Sequence, residues 1–168
     1  MNHLVKVHGK KHILFLRGPI SQEDSRWREI GYKRGLQANG IPVDENLILN
    51  GEFERGIAYQ AMNEFLGKEK QVAFDAVFTG DDDAAIGVLK ALHQHELKVP
   101  EEVAVIGFDD LGFAPFLNPP LTTVRAPIET VGRLAAERLF AILENQPANE
   151  TVILPTEIIY RRSCGCQY

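Results

Sequence analysis

The stretch AVFTGDDDAAIGVLKALHQHE, residues 76–96, joins an apolar run to a helical pattern through three consecutive aspartates. Ala76, Val77, Phe78 and Thr79 are apolar or β-branched without alternation, as in a strand buried on both faces of a parallel sheet. Over 82–96, Ala85, Leu89 and Leu92 recur at helical spacing, flanked by Ile86 and Val88. A strand that feeds a helix through a short polar turn is half of a βαβ unit, so the rest of the chain is read for the same pattern.

The pattern repeats on both sides. Short apolar runs at 12–16, 47–49 and 103–107 each end in Gly, Asn or Asp. Between them, Ile57, Ala58, Ala61, Met62, Phe65 and Leu66 predict a helix over 55–66, with Gly67 as its stop. A less regular helix is predicted over 26–39 from Trp27 and Ile30, ending at Gly40. Strands alternating with helices imply right-handed crossovers and an α/β fold with a doubly wound parallel sheet. Residues 1–11 are read as a linker into the first strand.

Beyond residue 107 the rhythm changes. Pro119 and Pro120 cannot sit in a central strand. The strand-like run 121–124 and the helix expected from Pro127 through Ile142 have no preceding helix to wrap the other side. This strand and helix are therefore expected to belong to a second sheet. A turn-rich loop is expected over 144–150, then two short runs at 152–154 and 157–160 split by Pro155.

Composition narrows the function classes. A chain of 168 residues with 45% apolar and 24% charged content is that of a soluble globular protein, and no apolar run is long enough for a membrane span. A net charge of −5, with cations scattered among carboxylates, leaves no electrostatic footprint for nucleic acid. Cys164 and Cys166 give no disulfide framework, so a reducing cytoplasm is the expected compartment. They could ligate a metal, but without visible partners they are read as playing no structural part.

In an open parallel sheet, ligands bind outside the carboxyl ends of the strands. Residues 17–25, 50–53, 80–83 and 109–112 fall there. No Walker or Rossmann glycine motif is present, so nucleotide binding has no direct support. Asp81–Asp83 with Asp109 and Asp110 form an acidic crevice that could serve a Mg-dependent small α/β enzyme. Against it, no first-strand aspartate is present, since Leu16 is followed by Arg17. His93 and His95, two apart on one helix, diverge and are read as solvated. What remains is Arg26, Arg28, Phe53, Asp81 and Asp109, a set suited to a polyhydroxylated ligand: carboxylates accept hydroxyl hydrogens, a guanidinium donates in a fork and an aromatic face covers a sugar ring. Otherwise Arg28 is a solvated helix charge and Phe53 a core residue.

The segments VPEEVAVIGFDD and PPLTTVR, with ILFLRGPISQEDSRWREIGYKRG upstream and LPTEIIYRRSCGC downstream, resemble the effector-binding domain of LacI/GalR-family transcription regulators. The resemblance implies a type I periplasmic-binding-protein-like fold, with one lobe complete and part of a second. Residues 12–119 and 151–161 would form the C-terminal lobe, and 121–145 a strand and helix of the N-terminal lobe. The helix-turn-helix DNA-binding domain is expected to lie outside the chain, so DNA would be met only through it. The resemblance further implies a small-molecule effector, a carbohydrate, held without cofactor or metal by Arg28, Phe53, Asp81 and Asp109, with Gln22 and Asp24 within reach. Asp81 stands where sugar-binding members commonly carry Asn. Asp82 and Asp83 are then read as the acidic start of the helix. A homodimer is expected through Ile86, Leu89, Lys90, Phe113, Phe116 and Leu117, and no catalytic activity.

Overall fold

The computed structural model describes residues 1–68, 72–148 and 151–167. The apolar runs become strands β1 (Ile13–Arg17), β2 (Ile48–Asn50), β3 (Ala76–Thr79), β4 (Ala104–Phe108), β5 (Thr122–Arg125) and β6 (Glu157–Ile159) of one sheet, in the order β2-β1-β3-β4-β5-β6. Neighbours run parallel except β6, which pairs antiparallel with β5. The helices are α1 (Asn2–Lys6), α2 (Glu23–Gln37), α3 (Arg55–Leu66), α4 (Asp82–Gln94) and α5 (Ile128–Leu143).

Successive side chains of a strand point to opposite faces, and the two cores follow that alternation. Leu14, Leu16, Val77 and Val105 pack under α3 and α4 with Met62, Phe65, Val88 and Leu92. Ile13, Phe15, Ala76, Ala104 and Ile106 pack on the other face with Leu4 of α1 and Tyr32 and Leu36 of α2. Tyr32 stacks on Phe15, with ring centroids 4.9 Å apart, and its hydroxyl donates to the Ile13 carbonyl at 2.7 Å. The buried phenol is thereby satisfied, and burial pushes its pKa above the ordinary tyrosine range.

Three expectations need correction. Residues 1–11 are not a bare linker, because α1 forms there and Leu4 is fully buried. The run at 121–124 does not enter a second sheet: β5 pairs with β4 in register Ile106↔Thr122, Gly107↔Thr123 and Phe108↔Val124. The lack of a preceding helix does not keep it out of the sheet, because it pairs directly beside β4. Thr122 and Thr123 are both fully buried, with hydroxyls donating to the Arg161 carbonyl at 2.8 Å and the Asp82 carboxylate at 2.6 Å. The run at 152–154 forms no strand. Of the expected loop 144–150, the last two residues, Asn149 and Glu150, lie outside the described residues.

Helix α5 is the exception to the packing. None of its residues is buried, and Ile128, Val131, Leu139, Phe140, Ile142 and Leu143 are all exposed.

Candidate functional site

Strand order reverses at β1, which has β2 on one side and β3 on the other, and in open sheets of this kind the carboxyl ends at such a point are where ligands bind. Arg28 projects from α2 into this point and ties the strand ends together. Its Nη1 donates to the Gly80 carbonyl after β3, and its Nη2 lies 3.3 Å from Asp109 after β4 and 3.6 Å from Asp24. The guanidinium carbon sits 5.0 Å from the Phe53 ring centroid and 4.1 Å from that of Phe108. A cation held against aromatic faces while donating in a plane is fixed in orientation, and its side chain is only 16% exposed.

Phe53 forms the floor. Its ring lies so close to Gly18 and Gly80 that a Cβ on either would overlap it, so the glycine after β1 and the one after β3 are steric requirements. Phe53 (φ +55°) and Asp109 (φ +105°) both have positive φ, a backbone cost of about 1–3 kcal/mol each that concentrates at ligand sites.

The aspartate run divides its labour. Asp81 is the N-cap of α4, accepting from the Ala84 N–H at 2.9 Å. Burial, with Asp109 and Asp83 nearby, raises its pKa to about 6, partly opposed by that hydrogen bond and by Arg28. Asp82 stands in the first turn of α4 as expected, and it is also fully buried, accepting from the Thr123 hydroxyl at 2.6 Å and the Leu111 N–H at 2.8 Å. Gly107 makes room for it, since a Cβ there would overlap the carboxylate. Burial again lifts the pKa to about 6. Asp83 accepts from the Arg55 backbone N–H at 3.0 Å and its guanidinium at 2.6 Å.

Asp109 and Asp110 face different partners. Burial raises Asp109, with Arg28 opposing. For Asp110 burial acts upward too, but Arg161 and Arg125, at 2.7 Å and 2.6 Å, outweigh it and hold the carboxyl below the ordinary value. Each carboxylate of the supposed Mg crevice is thus engaged by a donor of the chain. Among the described residues, the side chains grouped closely enough to share an ion are not these aspartates.

Of the other expected contacts, Asp24 pairs with Arg28, whereas Gln22 is an exposed N-cap of α2 without a side-chain cap bond, and Arg26 is also exposed. Along the face expected to dimerise, Leu89 and Leu117 are half-buried against the core, Ile86 and Phe113 half-buried, and Phe116 is 86% exposed. The Lys90 ammonium lies 4.5 Å from the Tyr59 ring centroid. Phe108, Arg125 and Arg161 escaped sequence reading; the phenylalanine before F-D-D's aspartates was the available signal for the first. The reading of Cys164 and Cys166 as partnerless is overturned, because His3 and His8 stand beside them.

Comparison with known proteins gives this geometry a family. The model of the periplasmic binding protein-like domain matches residues 1–164. The chain belongs to that family. MalR, an HTH-type transcriptional regulator of Clostridium butyricum, is 37% identical over 140 residues, 83% of this chain and 41% of its own length. The transcriptional regulator CelR in complex with cellobiose superposes with a TM-score of 0.87 at 32% identity, covering 95% of this chain and 48% of that one. The lac repressor dimer bound to operator and the anti-inducer ONPF gives 0.88 at 26% identity, covering 97% and 48%. The chain therefore corresponds to part of the effector-binding domain of a LacI/GalR-type regulator, and it spans less than half the length of each of these three relatives. Among the described residues, no helix is long and apolar enough to cross a membrane.

Proposed function

We propose that the strand-end cluster is one wall of a cleft that grips a small polar effector, a carbohydrate, and that the chain works as a cytoplasmic sensor without catalysis. The observation that carries this is Arg28, held between Phe53, Phe108 and Asp109 at the point where strand order reverses. Arg28 donates to ring hydroxyls, Asp81 and Asp109 accept from them, and the free part of the Phe53 face covers an apolar sugar edge. At neutral pH Asp81, with a pKa of about 6, is ionised. A carboxylate there accepts and does not donate, which favours a ligand rich in hydroxyl donors or carrying positive charge.

The opposite wall would come from a second lobe, to which α5 belongs. Closure of two lobes on an effector would bias their relative orientation, and a homodimer through α4 and Phe116 would pass that bias to a DNA-binding head. The cellobiose held by CelR and the dimeric state of the lac repressor support the ligand class and the assembly.

The test is NMR titration of the isotopically labelled chain with neutral mono- and disaccharides. With one wall alone, binding is expected to saturate on the order of 1 mM, worth about 4 kcal/mol. The amides of Gly18, Phe53, Gly80 and Asp109 should move, and Arg28→Ala should abolish the shifts. Micromolar binding by the chain, or shifts indifferent to Arg28, would overturn the reading.

A further inference from the structure

Away from the strand ends, on the sheet face covered by α1 and α2, four side chains from opposite ends of the sequence converge. His3 lies on α1, His8 in the turn after it, Cys164 at the end of a 3-10 turn (Arg162–Cys164), and Cys166 two residues on. Their ligating atoms all fall within 4.8 Å of one another. His3 Nε2 is 3.0 Å from His8 Nε2, 3.4 Å from Cys164 Sγ and 3.4 Å from Cys166 Sγ, and Cys166 Sγ is 3.6 Å from His8 Nε2.

Hydrogen bonding does not account for this arrangement. An imidazole nitrogen carries either one proton or one lone pair, directed in the ring plane. His3 Nε2 has three such neighbours at once, so at most one contact is served and the others remain close without a bond. The distances instead fit ligands around a shared centre. A tetrahedral zinc ion binding sulfur at about 2.3 Å and nitrogen at about 2.0–2.1 Å sets nitrogen–nitrogen, nitrogen–sulfur and sulfur–sulfur separations of about 3.3, 3.5 and 3.8 Å. The His3–His8 separation and the three nitrogen–sulfur separations above lie within about 0.3 Å of those values, a small adjustment on the scale of side-chain motion, and the remaining pairs fall within 4.8 Å.

The surroundings are built for it. Gly165, between the cysteines, has φ +106°, a conformation that side-chain-bearing residues adopt only under strain, and a Cβ there would come 3.1 Å from His8 Nδ1. The Thr122 hydroxyl, which donates to the Arg161 carbonyl, packs 3.1 Å from Cys164 Sγ and so helps fix the position of that sulfur. Both thiols are free of any disulfide, and Cys164 is buried.

We propose that His3, His8, Cys164 and Cys166 form a structural zinc site that fastens α1 to the turn following β6. Two nitrogen and two sulfur ligands fill the tetrahedron, leaving no open position for substrate. The ion would close a loop of nearly the whole chain, since His3 and Cys164 are 161 residues apart. This site shares no residue with the effector cluster and stands or falls independently of it.

The test uses the chain reduced, stripped of metal by a chelator and titrated with Co²⁺. The expected result is one equivalent bound, with visible bands of tetrahedral cobalt and a thiolate-to-cobalt charge-transfer band, all erased by Zn²⁺. Zinc should also raise the melting temperature, by an amount that grows with the logarithm of its excess over Kd. Cys166→Ser and His8→Ala, both at partly exposed positions, should weaken zinc by more than the roughly 10–100-fold that an outer-shell change costs. Circular dichroism checks that these variants fold, and His93→Ala, on exposed α4 surface, should bind as the parent does. No charge-transfer band in the parent chain, or a band unchanged by both Cys166→Ser and His8→Ala, would overturn the proposal.

Discussion

Helices α4 and α5 read alike in sequence and end differently in the fold. Both carry apolar residues at helical spacing after a strand. Helix α4 is capped by the Asp81 side chain and buries Ala84, Ala85, Val88, Ala91 and Leu92 against α3 and the sheet. Helix α5 starts at Pro127 without a side-chain cap and buries nothing. An amphipathic pattern states that a helix has a face to cover; it does not state that the cover lies in the same polypeptide. For α4 the cover is present, and for α5 the second lobe proposed above would supply it.

The largest effect expected from that contrast lies in the α4 core. Leu92→Ala should cost about 2–5 kcal/mol in urea unfolding, because a fully buried side chain leaves a cavity. Next comes Asp82→Ala, which strands the Thr123 hydroxyl and the Leu111 N–H and should cost about 1–3 kcal/mol. At the α4 cap, Asp81→Asn should act in the stabilising direction, with a pH signature. The Asp81 carboxyl has a pKa of about 6 against an ordinary 3.8, so the folded chain holds this proton more tightly than the unfolded one. Its contribution is full below about 3.8 and is lost as pH rises to about 6. Asn keeps the cap and cannot ionise, so the variant should gain about 1–2 kcal/mol at pH 7, screening allowed for, and nothing near pH 4. Thermal melts of both chains at the two pH values read this directly.

The smallest effect should be on the other helix. Leu139→Ala, at a side chain already 57% exposed, should change stability by less than about 0.5 kcal/mol. Hydrogen exchange gives the same contrast without mutation: α4 amides should open only with global unfolding, and α5 amides far sooner. Equal costs for Leu92→Ala and Leu139→Ala would break the comparison, and would mean that α5 has found a cover, for example in a second copy of the chain.

How much was legible follows the range of the interactions involved. The limits of β3 and α3 were readable to the residue, because local apolar spacing and Gly67 fix them. Strands β1 and β4 are each displaced one residue from the expected runs, to Ile13–Arg17 and Ala104–Phe108, because backbone pairing with the neighbouring strand sets the ends. Helix α1, five residues long with one buried leucine, offers too few turns for a periodicity. Arg28, Phe53, Asp81 and Asp109 are expected together from their places near the ends of predicted strands, and the family resemblance points to the same four. Asp82 and the Thr123 hydroxyl are 41 residues apart, and His3 and Cys164 are farther still, so no window along the chain contains either pair. Long-range polar contacts of this kind leave no local mark.

Asp110 sits where two strands meet. It is gripped by Arg125, the last residue of β5, and by Arg161, just beyond β6, so the strand that leaves for α5 and the strand that returns are latched to one carboxylate. On the α5 side of this latch only residues 126–127 separate β5 from the helix, so the start of α5 is placed by Asp110 almost directly. The neighbouring residue, Asp109, holds the Arg28 guanidinium, so the latch on β5 and the Arg28 cluster are a single peptide bond apart.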